Sequence, residues 1–519
     1  MLASIVSFWV YIGAGYSVWD SDIWWHLRNA EYLFEHFSTP RVDLFSYTTN
    51  HHPWMNHEWL AEIPYFLAWK AGGLMGIYLA FLALLVLIFL GVFYHAANQS
   101  VNLKSAFIVA CFALFLGLVS FGPRTILFGY VYLVILLMLL ARYRAAGQAP
   151  LWTIPPLFCL WINTHGSWLL GMIIFGIYVV AGLVGGRWGR IEATRWSPQQ
   201  SKRLLITAGA SVVALFVNPF TYRLVSYPFN LAFEQKLNIT YVDEWASVNF
   251  HDARGKVVLI LLAAIFAGAL FSRIRWKLEE ALLAGFALYA GLKHIRFLFL
   301  AAILLTPLLA KMLDTIPPYR KEIDKPALNA AVMAVLLAIA IYRFPSQDDL
   351  AQAVAQRYPT QAIAYIKSKG LAGNVFNRYM WGGYMIFFCS EVKTFIDGRT
   401  DIFEYTGVLK DYLDAERLQN SLDVMDKYKI RYVLTSPDFP LAYLLENSPG
   451  WKLLYRDPVS LIFVRATEEQ RAATDNSSRR GRDEESASSL LLPREAGSTK
   501  EAWGGRNRKL RSRPCVKES

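Results

Sequence analysis

Blocks of uncharged, apolar residues recur along this chain, and a helix needs about 20 such residues to cross a hydrocarbon core. They constrain the fold more than any motif does, because inside a bilayer the backbone must satisfy its own hydrogen bonds. Candidate spans lie at 2–19, 74–95, 105–121, 126–142, 151–163, 167–185, 204–217, 256–271, 279–292, 296–312 and 327–343. The spacing predicts a mainly α protein, a polytopic transmembrane bundle of about eleven helices. Composition agrees: 55% of residues are hydrophobic and the mean hydropathy is +0.29, against about 45–50% apolar in soluble domains.

The net charge of +12 does not mark a nucleic-acid partner. The basic residues cluster between apolar blocks, as the positive-inside rule requires. One set of loops carries Arg142 and Arg144, then Arg187 to Arg203, then Arg273 to Lys277, then Lys311 to Lys325. These loops read as cytoplasmic. The opposite side then holds two long polar stretches, 20–73 and 218–255, and everything after Phe344. Within that last part, residues 344–465 read as a water-soluble α/β domain. Thr360 to Lys369 has helical spacing, Asn374 to Asn377, Val392 to Ile396 and Arg431 to Thr435 read as strands, and Trp451 to Arg465 as a closing hairpin. Tyr405 to Tyr428 reads as helical and charged. Residues 466–519, rich in Ser, Arg, Glu and Gly, read as a disordered polar tail. Cys111, Cys159, Cys389 and Cys515 are scattered and indicate no disulfide framework.

The chemistry concentrates where the first apolar segment ends. Asp20-Ser-Asp22-Ile-Trp24-Trp25-His26-Leu27-Arg28 follows Ile5 to Trp19 directly. Tryptophans anchor helices at the membrane interface, but carboxylates there lose hydration and need a reason to stay. Capping a helix that starts near Ile23 accounts for one Asp; the other points to catalysis or ligand binding. An amphipathic helix follows, Ile23 to Phe37, with Trp24, Leu27, Ala30, Tyr32 and Phe34 available to lie on the membrane. His51, His52, His57, Glu58 and Glu62 come next. With His26 they offer donors for a divalent metal, although no tight histidine pair at helical spacing occurs. On the same side stand Arg124 after Gly122-Pro123, Asn163 and His165 at the tip of a helical hairpin, and Lys293, His294 and Arg296 between two apolar spans. Such cations suit an anionic phosphate or, alternatively, snorkel to the interface. Asn218-Pro219-Phe220 and Asp243-Glu244-Trp245 add polar groups to the second stretch. Trp381-Gly382-Gly383-Tyr384 stands out in the soluble part, as do Asp397 and Arg399, which read first as an ion pair holding a turn.

An acidic D-x-D-type motif on the first outer loop, an amphipathic juxtamembrane helix, a many-helix bundle and a carboxy-terminal outer domain resemble the GT-C glycosyltransferases. The residues that carry the resemblance are Asp20-x-Asp22-x-Trp24-Trp25-His26-Leu27, continued by Pro53-Trp54-x-x-His57-Glu58-Trp59-Leu60. They look like an uncharacterised bacterial branch of that superfamily, and the resemblance covers residues 1–465. The fuller motifs of protein mannosyltransferases and oligosaccharyltransferases are not found. The resemblance implies a multi-pass enzyme of the bacterial inner membrane. It implies transfer of a sugar from a polyprenyl-phosphate-linked donor to a glycan, lipid or protein acceptor at the extracytoplasmic face, with inversion. It makes Asp20 the general base, with Asp22 orienting the acceptor or assisting a metal. His26, His57, Glu58, Arg124, His165, Lys293, His294 and Arg296 are then the substrate-binding set. Two other classes compete: a transporter or flippase, which predicts mid-span charges and an internal repeat, and a non-enzymatic scaffold, which predicts no cavity joining Asp20 to the bilayer.

Overall fold

The computed structural model describes residues 20–466 apart from 101, 118–120 and 272–273. The expected first span and the polar tail lie outside the described residues. Each of the ten other candidate spans coincides with a helix. Among the described residues five helices are long and apolar enough to cross a membrane: Trp59–Ser100, Ile126–Ala146, Ala253–Phe271, Ile295–Met312 and Pro326–Arg343.

Apolarity alone does not say which helix is central. From Leu298 to Leu305 every residue is buried, as in a helix surrounded by others. The Leu103–Gly117, Trp59–Ser100 and Leu278–Lys293 helices pack around it. The Pro326–Arg343 helix is as apolar but has no buried residue, so its side chains face outward all round. The Trp59–Ser100 helix bends at Gly72 and Gly73. Gly73 has φ +57°, and Gln347 reaches back to take the Met75 N–H at 3.0 Å. Only glycine adopts that geometry without strain, and the kink separates the first three turns of this helix from its apolar run.

The carboxy-terminal part is α/β. Val375–Asn377 runs parallel to Tyr432–Thr435, which pairs antiparallel with Leu461–Arg465, itself antiparallel to Trp451–Arg456. Two expectations need correction. Val392 to Ile396 is not a strand of this sheet. Its backbone turns instead to the acidic loop, where Tyr47 N–H donates to Thr394 C=O and Thr394 N–H to Phe45 C=O, both at 3.1 Å. The 405–428 stretch is broken into short helices, Val408–Glu416 and Ser421–Lys427. A small sheet of Gly186–Trp188, Ile191–Ala193 and Trp276–Lys277, among the basic loops, was not foreseen.

The helix after Asp22 spans Ile23–His36 as expected, but its apolar face does not lie on lipid. Trp24, Leu27 and Ala30 are buried, at 1%, 0% and 0% exposure. Trp24 sits in an aromatic nest of Trp69, Tyr358, Tyr384 and Phe388. The helix is thus sandwiched between the Trp59–Ser100 helix and the Tyr379–Phe388 helix; only Phe34 and Phe37 of its aromatic residues remain exposed. The described residues up to Arg465 accordingly form one compact unit.

A buried charge cluster fastens this seam. Arg399 meets Asp397 twice, at 2.7 and 2.6 Å, and reaches Asp43 of the acidic loop at 2.7 Å. Burial alone would raise the Asp43 carboxyl, but Arg399 and the Ser46 and Thr49 hydroxyls outweigh it and hold it low. Removing the single cation leaves two carboxylates dry and unpaired. Arg399→Met should therefore destabilise the protein by about 3–5 kcal/mol, read as a fall in the thermal unfolding midpoint in detergent; an unchanged midpoint would show that the cluster does not hold the seam.

Candidate functional site

Where the acidic loop, the second polar stretch and the carboxy-terminal part meet, a cavity of about 160 Å³ opens. Asp20, Asp22, His26, His57, Glu58, Arg124, His165 and Arg296 all line it. Lys293 and His294 do not. Lys293 ends its helix facing outward beside the Tyr289 hydroxyl, and the His294 ring is engaged by the Trp245 carbonyl at 2.6 Å.

The two aspartates play different parts. Asp20 accepts from Arg124 Nε at 2.8 Å and from the Asp22 N–H at 3.0 Å. Asp22 stands at the N-cap position of the Ile23–His36 helix but makes no capping hydrogen bond, so capping does not explain it. Burial, and then the adjacent Asp20 charge, push its carboxyl well above the usual range. Its carboxylate lies flat against Gly398, where any β-carbon would collide with Oδ1, and a β-carbon at Gly383 would come within 2.5 Å of the Ser21 carbonyl. The two glycine-containing motifs of the carboxy-terminal part are therefore the floor on which the acidic motif rests.

Two guanidinium groups face these acids. Arg124 is paired with Asp20 and with Glu244; burial opposes its charge, but both carboxylates outweigh that and hold it firmly protonated. Arg296 stacks on the Trp245 ring at 4.2 Å. Among the described residues no carboxylate lies within ion-pair distance of it.

Glu58 is the hub of the opposite wall. Thr125 donates to it at 2.8 Å. Three histidine Nε2 atoms converge on its carboxyl: His26 at 3.4 Å, His165 at 3.4 Å and His57 at 3.7 Å. Burial raises the Glu58 carboxyl and pushes His26 and His57 down to about 4, so these rings are neutral. Behind His26 stands Glu62, which is not part of the cavity wall. Asn163 at the hairpin tip is structural, accepting from Trp59 Nε1 at 2.9 Å and donating to the Val217 carbonyl.

Among the lining residues that sequence reasoning missed are Tyr227, Asp401 and Tyr379. Tyr227 donates to Asp401 at 3.3 Å and packs on the His57 ring at 4.3 Å between centroids. Nothing in the local sequence marks Tyr227. Glu244 belonged to a noted string, and Asp401 stands two residues past the noted Arg399, but their partners are far away in the chain.

Among the described residues no group of three or more His, Cys, Asp or Glu is spaced to hold an ion, and His26 Nδ1 and His165 Nδ1 already have partners at 2.9 Å. What the site offers is proton-accepting carboxyls of raised affinity beside a guanidinium held by stacking on Trp245, in a recess lined by charged and hydrogen-bonding groups.

No protein-family model and no curated protein matches the chain. Among solved structures it is similar to a crystal structure of ArnT from Cupriavidus metallidurans bound to undecaprenyl phosphate. The TM-score is 0.47 and the identity 14%, over 90% of this chain and 97% of that one. That score is below the level at which a shared fold follows.

The neutral His57 gives a test of this wall. Its proton affinity is lower folded (about 4) than unfolded (about 6.5). The unfolded chain therefore binds its proton first, and the stability this ring contributes is lost as pH falls from about 6.5 toward about 4. His57→Gln should lose less stability than the parent across that window in unfolding titrations; identical pH slopes would mean that the ring is not buried neutral.

Proposed function

We propose that this protein is a membrane glycosyltransferase that moves a sugar from a polyprenyl-phosphate-linked donor to an acceptor hydroxyl. The observation that carries the reading is Arg296, a guanidinium without a carboxylate partner among the described residues, in one recess with the Asp20–Asp22 pair and Arg124. A phosphate is the group such an arrangement suits: guanidinium forks bind its oxygens in pairs. The helices around the recess give a lipid-linked substrate a bilayer to stay in. The resemblance of the acidic motif to the GT-C glycosyltransferases points the same way.

The chemistry divides among the residues as follows. Arg296 and Arg124 neutralise the phosphate that leaves the anomeric carbon. A carboxylate takes the proton of the acceptor hydroxyl as it attacks from the opposite face, so the centre inverts. Asp22 fits that task better than Asp20, the first choice on sequence. Asp20 is committed to Arg124, whereas Asp22 combines a raised proton affinity with an open edge on the cavity, and a base works best when its pKa lies near the working pH. Asp20 then positions Arg124. His57, Tyr227 and Asp401 form a wall of hydrogen-bonding and aromatic groups suited to sugar hydroxyls. The donor is taken to reach the extracytoplasmic face of a bacterial inner membrane, the side to which charge asymmetry assigns the acidic loop.

The test is transfer in vesicles holding a polyprenyl-phosphate sugar. Asp22→Asn should lower the transfer rate by about 10²–10⁴-fold while donor binding persists, and Arg296→Gln should weaken donor binding. Transfer at the parental rate by Asp22→Asn would refute the base assignment, and uptake of the sugar without any product would favour a transporter.

A further inference from the structure

Asp243-Glu244-Trp245 forms one tight helical turn in the second polar stretch, and none of its residues is buried. Its backbone is pinned to the start of the central helix. The Trp245 carbonyl meets the His294 ring at 2.6 Å, and the Ala246 carbonyl accepts the Ile295 N–H at 2.9 Å. The Trp245 ring packs edge-on against His294 and Phe297. Glu244 is therefore carried at a fixed place on the cavity wall. Its side chain is 28% exposed and can change rotamer without moving the backbone.

That side chain already supplies an anion to the two guanidinium groups. Its carboxylate is paired with Arg124. It is also the carboxylate whose charge acts most strongly on Arg296, although it stands beyond ion-pair distance. Burial opposes its charge, but Arg124 and then Arg296 outweigh that and hold its carboxyl below the usual range. The two carboxylates on Arg124 are not held alike. Asp20 accepts from Arg124 Nε at 2.8 Å and from the Asp22 N–H at 3.0 Å, so it is tied to the acidic motif. Among the described residues the Glu244 carboxylate has Arg124 as its one hydrogen-bond partner. Glu244 is thus the one that can let go without stranding a backbone donor, and it swings toward water.

Resting on the glycosyltransferase reading, we propose that Glu244 is a built-in stand-in for the donor phosphate. Its carboxylate holds Arg124 until a donor binds, yields Arg124 to the donor phosphate, and returns to displace the polyprenyl phosphate left after transfer. Charge balance favours such an exchange. The positive charges of Arg124 and Arg296 are matched by Asp20 and Glu244. The donor headgroup is a phosphodiester, a monoanion. Taking the place of Glu244 keeps that balance, whereas adding to it leaves an unmatched charge in a partly dehydrated recess. The product is a phosphate monoester, which carries about −1.5 to −2 at pH 7 and so grips a guanidinium more firmly than the donor does. A tethered carboxylate competes with it at an effective concentration of the order of millimolar.

Calorimetric binding of a short-chain polyprenyl monophosphate to the full chain in detergent tests the exchange. Glu244→Gln keeps the shape and removes the charge. It should bind this probe about 10–100-fold more tightly than the parent, the worth of one charge-assisted hydrogen bond. Glu244→Asp, whose carboxylate is drawn back by one methylene, should fall between the two. A Glu244 that merely steadies Arg124 predicts the opposite sign, because Glu244→Gln would then loosen the guanidinium. Weaker or unchanged binding in Glu244→Gln overturns the proposal; should that variant fail to fold, no gain in Glu244→Asp overturns it alone. In the transfer assay Glu244→Gln should show a lower KM for donor and inhibition by added polyprenyl phosphate at about 10–100-fold lower concentration; parental values for both would overturn it too. Failure of the parent and Glu244→Gln alike to bind the probe would sink the phosphate site and the glycosyltransferase reading with it, whereas parental binding with no gain in either variant sinks the exchange alone.

Discussion

The buried bridge from Arg399 to Asp43 and Asp397 is the contact on which the rest of this structure depends. It joins residues 356 positions apart at a seam where the acidic loop would otherwise have no reason to stay. A loop this rich in Asp, Glu and His is costly to bury unless its charges are paired. The apolar half of the same seam, around Trp24, offsets that cost by removing large aromatic surface from water. Together they press the loop between the helical bundle and the carboxy-terminal part, and the cavity is what remains between them.

Pairing inside that seam is uneven, and the unevenness gives the cavity its character. Asp43, Asp397 and Arg399 close on each other, and Asp20 and Glu244 share Arg124. What is left over is Arg296, with carboxyls at Asp22, Glu58 and Asp401 whose proton affinity burial raises. Groups that have been dehydrated but not neutralised by a fixed partner are the ones free to meet a substrate. The neutral histidines at positions 26, 57 and 165 add hydrogen-bonding edges without adding charge.

Helices were legible from the sequence because apolar runs of membrane length allow little else. The acidic motif was legible because carboxylates beside a span are rare enough to need an explanation. What the sequence did not carry is which surface each amphipathic element faces. Trp24, Leu27 and Ala30 have the spacing of a membrane-bound face, and protein covers that face instead of lipid. Val392 to Ile396 has the composition of a strand, but its backbone bonds are spent on residues 45–47, far upstream. Lys293 and Arg296 are three residues apart and read alike; a helix end between them turns one outward and the other into the cavity. Tyr227 and Asp401 come from different regions, and only the folded chain brings them to His57.

The central claim is that the recess beside Asp22 and Arg296 receives a phosphate-linked lipid sugar. Mass spectrometry of lipid that co-purifies with the Asp22→Asn protein, in which bound donor would accumulate, tests it most directly. The account predicts a polyprenyl-phosphate sugar, lost when Arg296 is also changed to Gln; ordinary phospholipid alone, the same with or without Arg296, would contradict it.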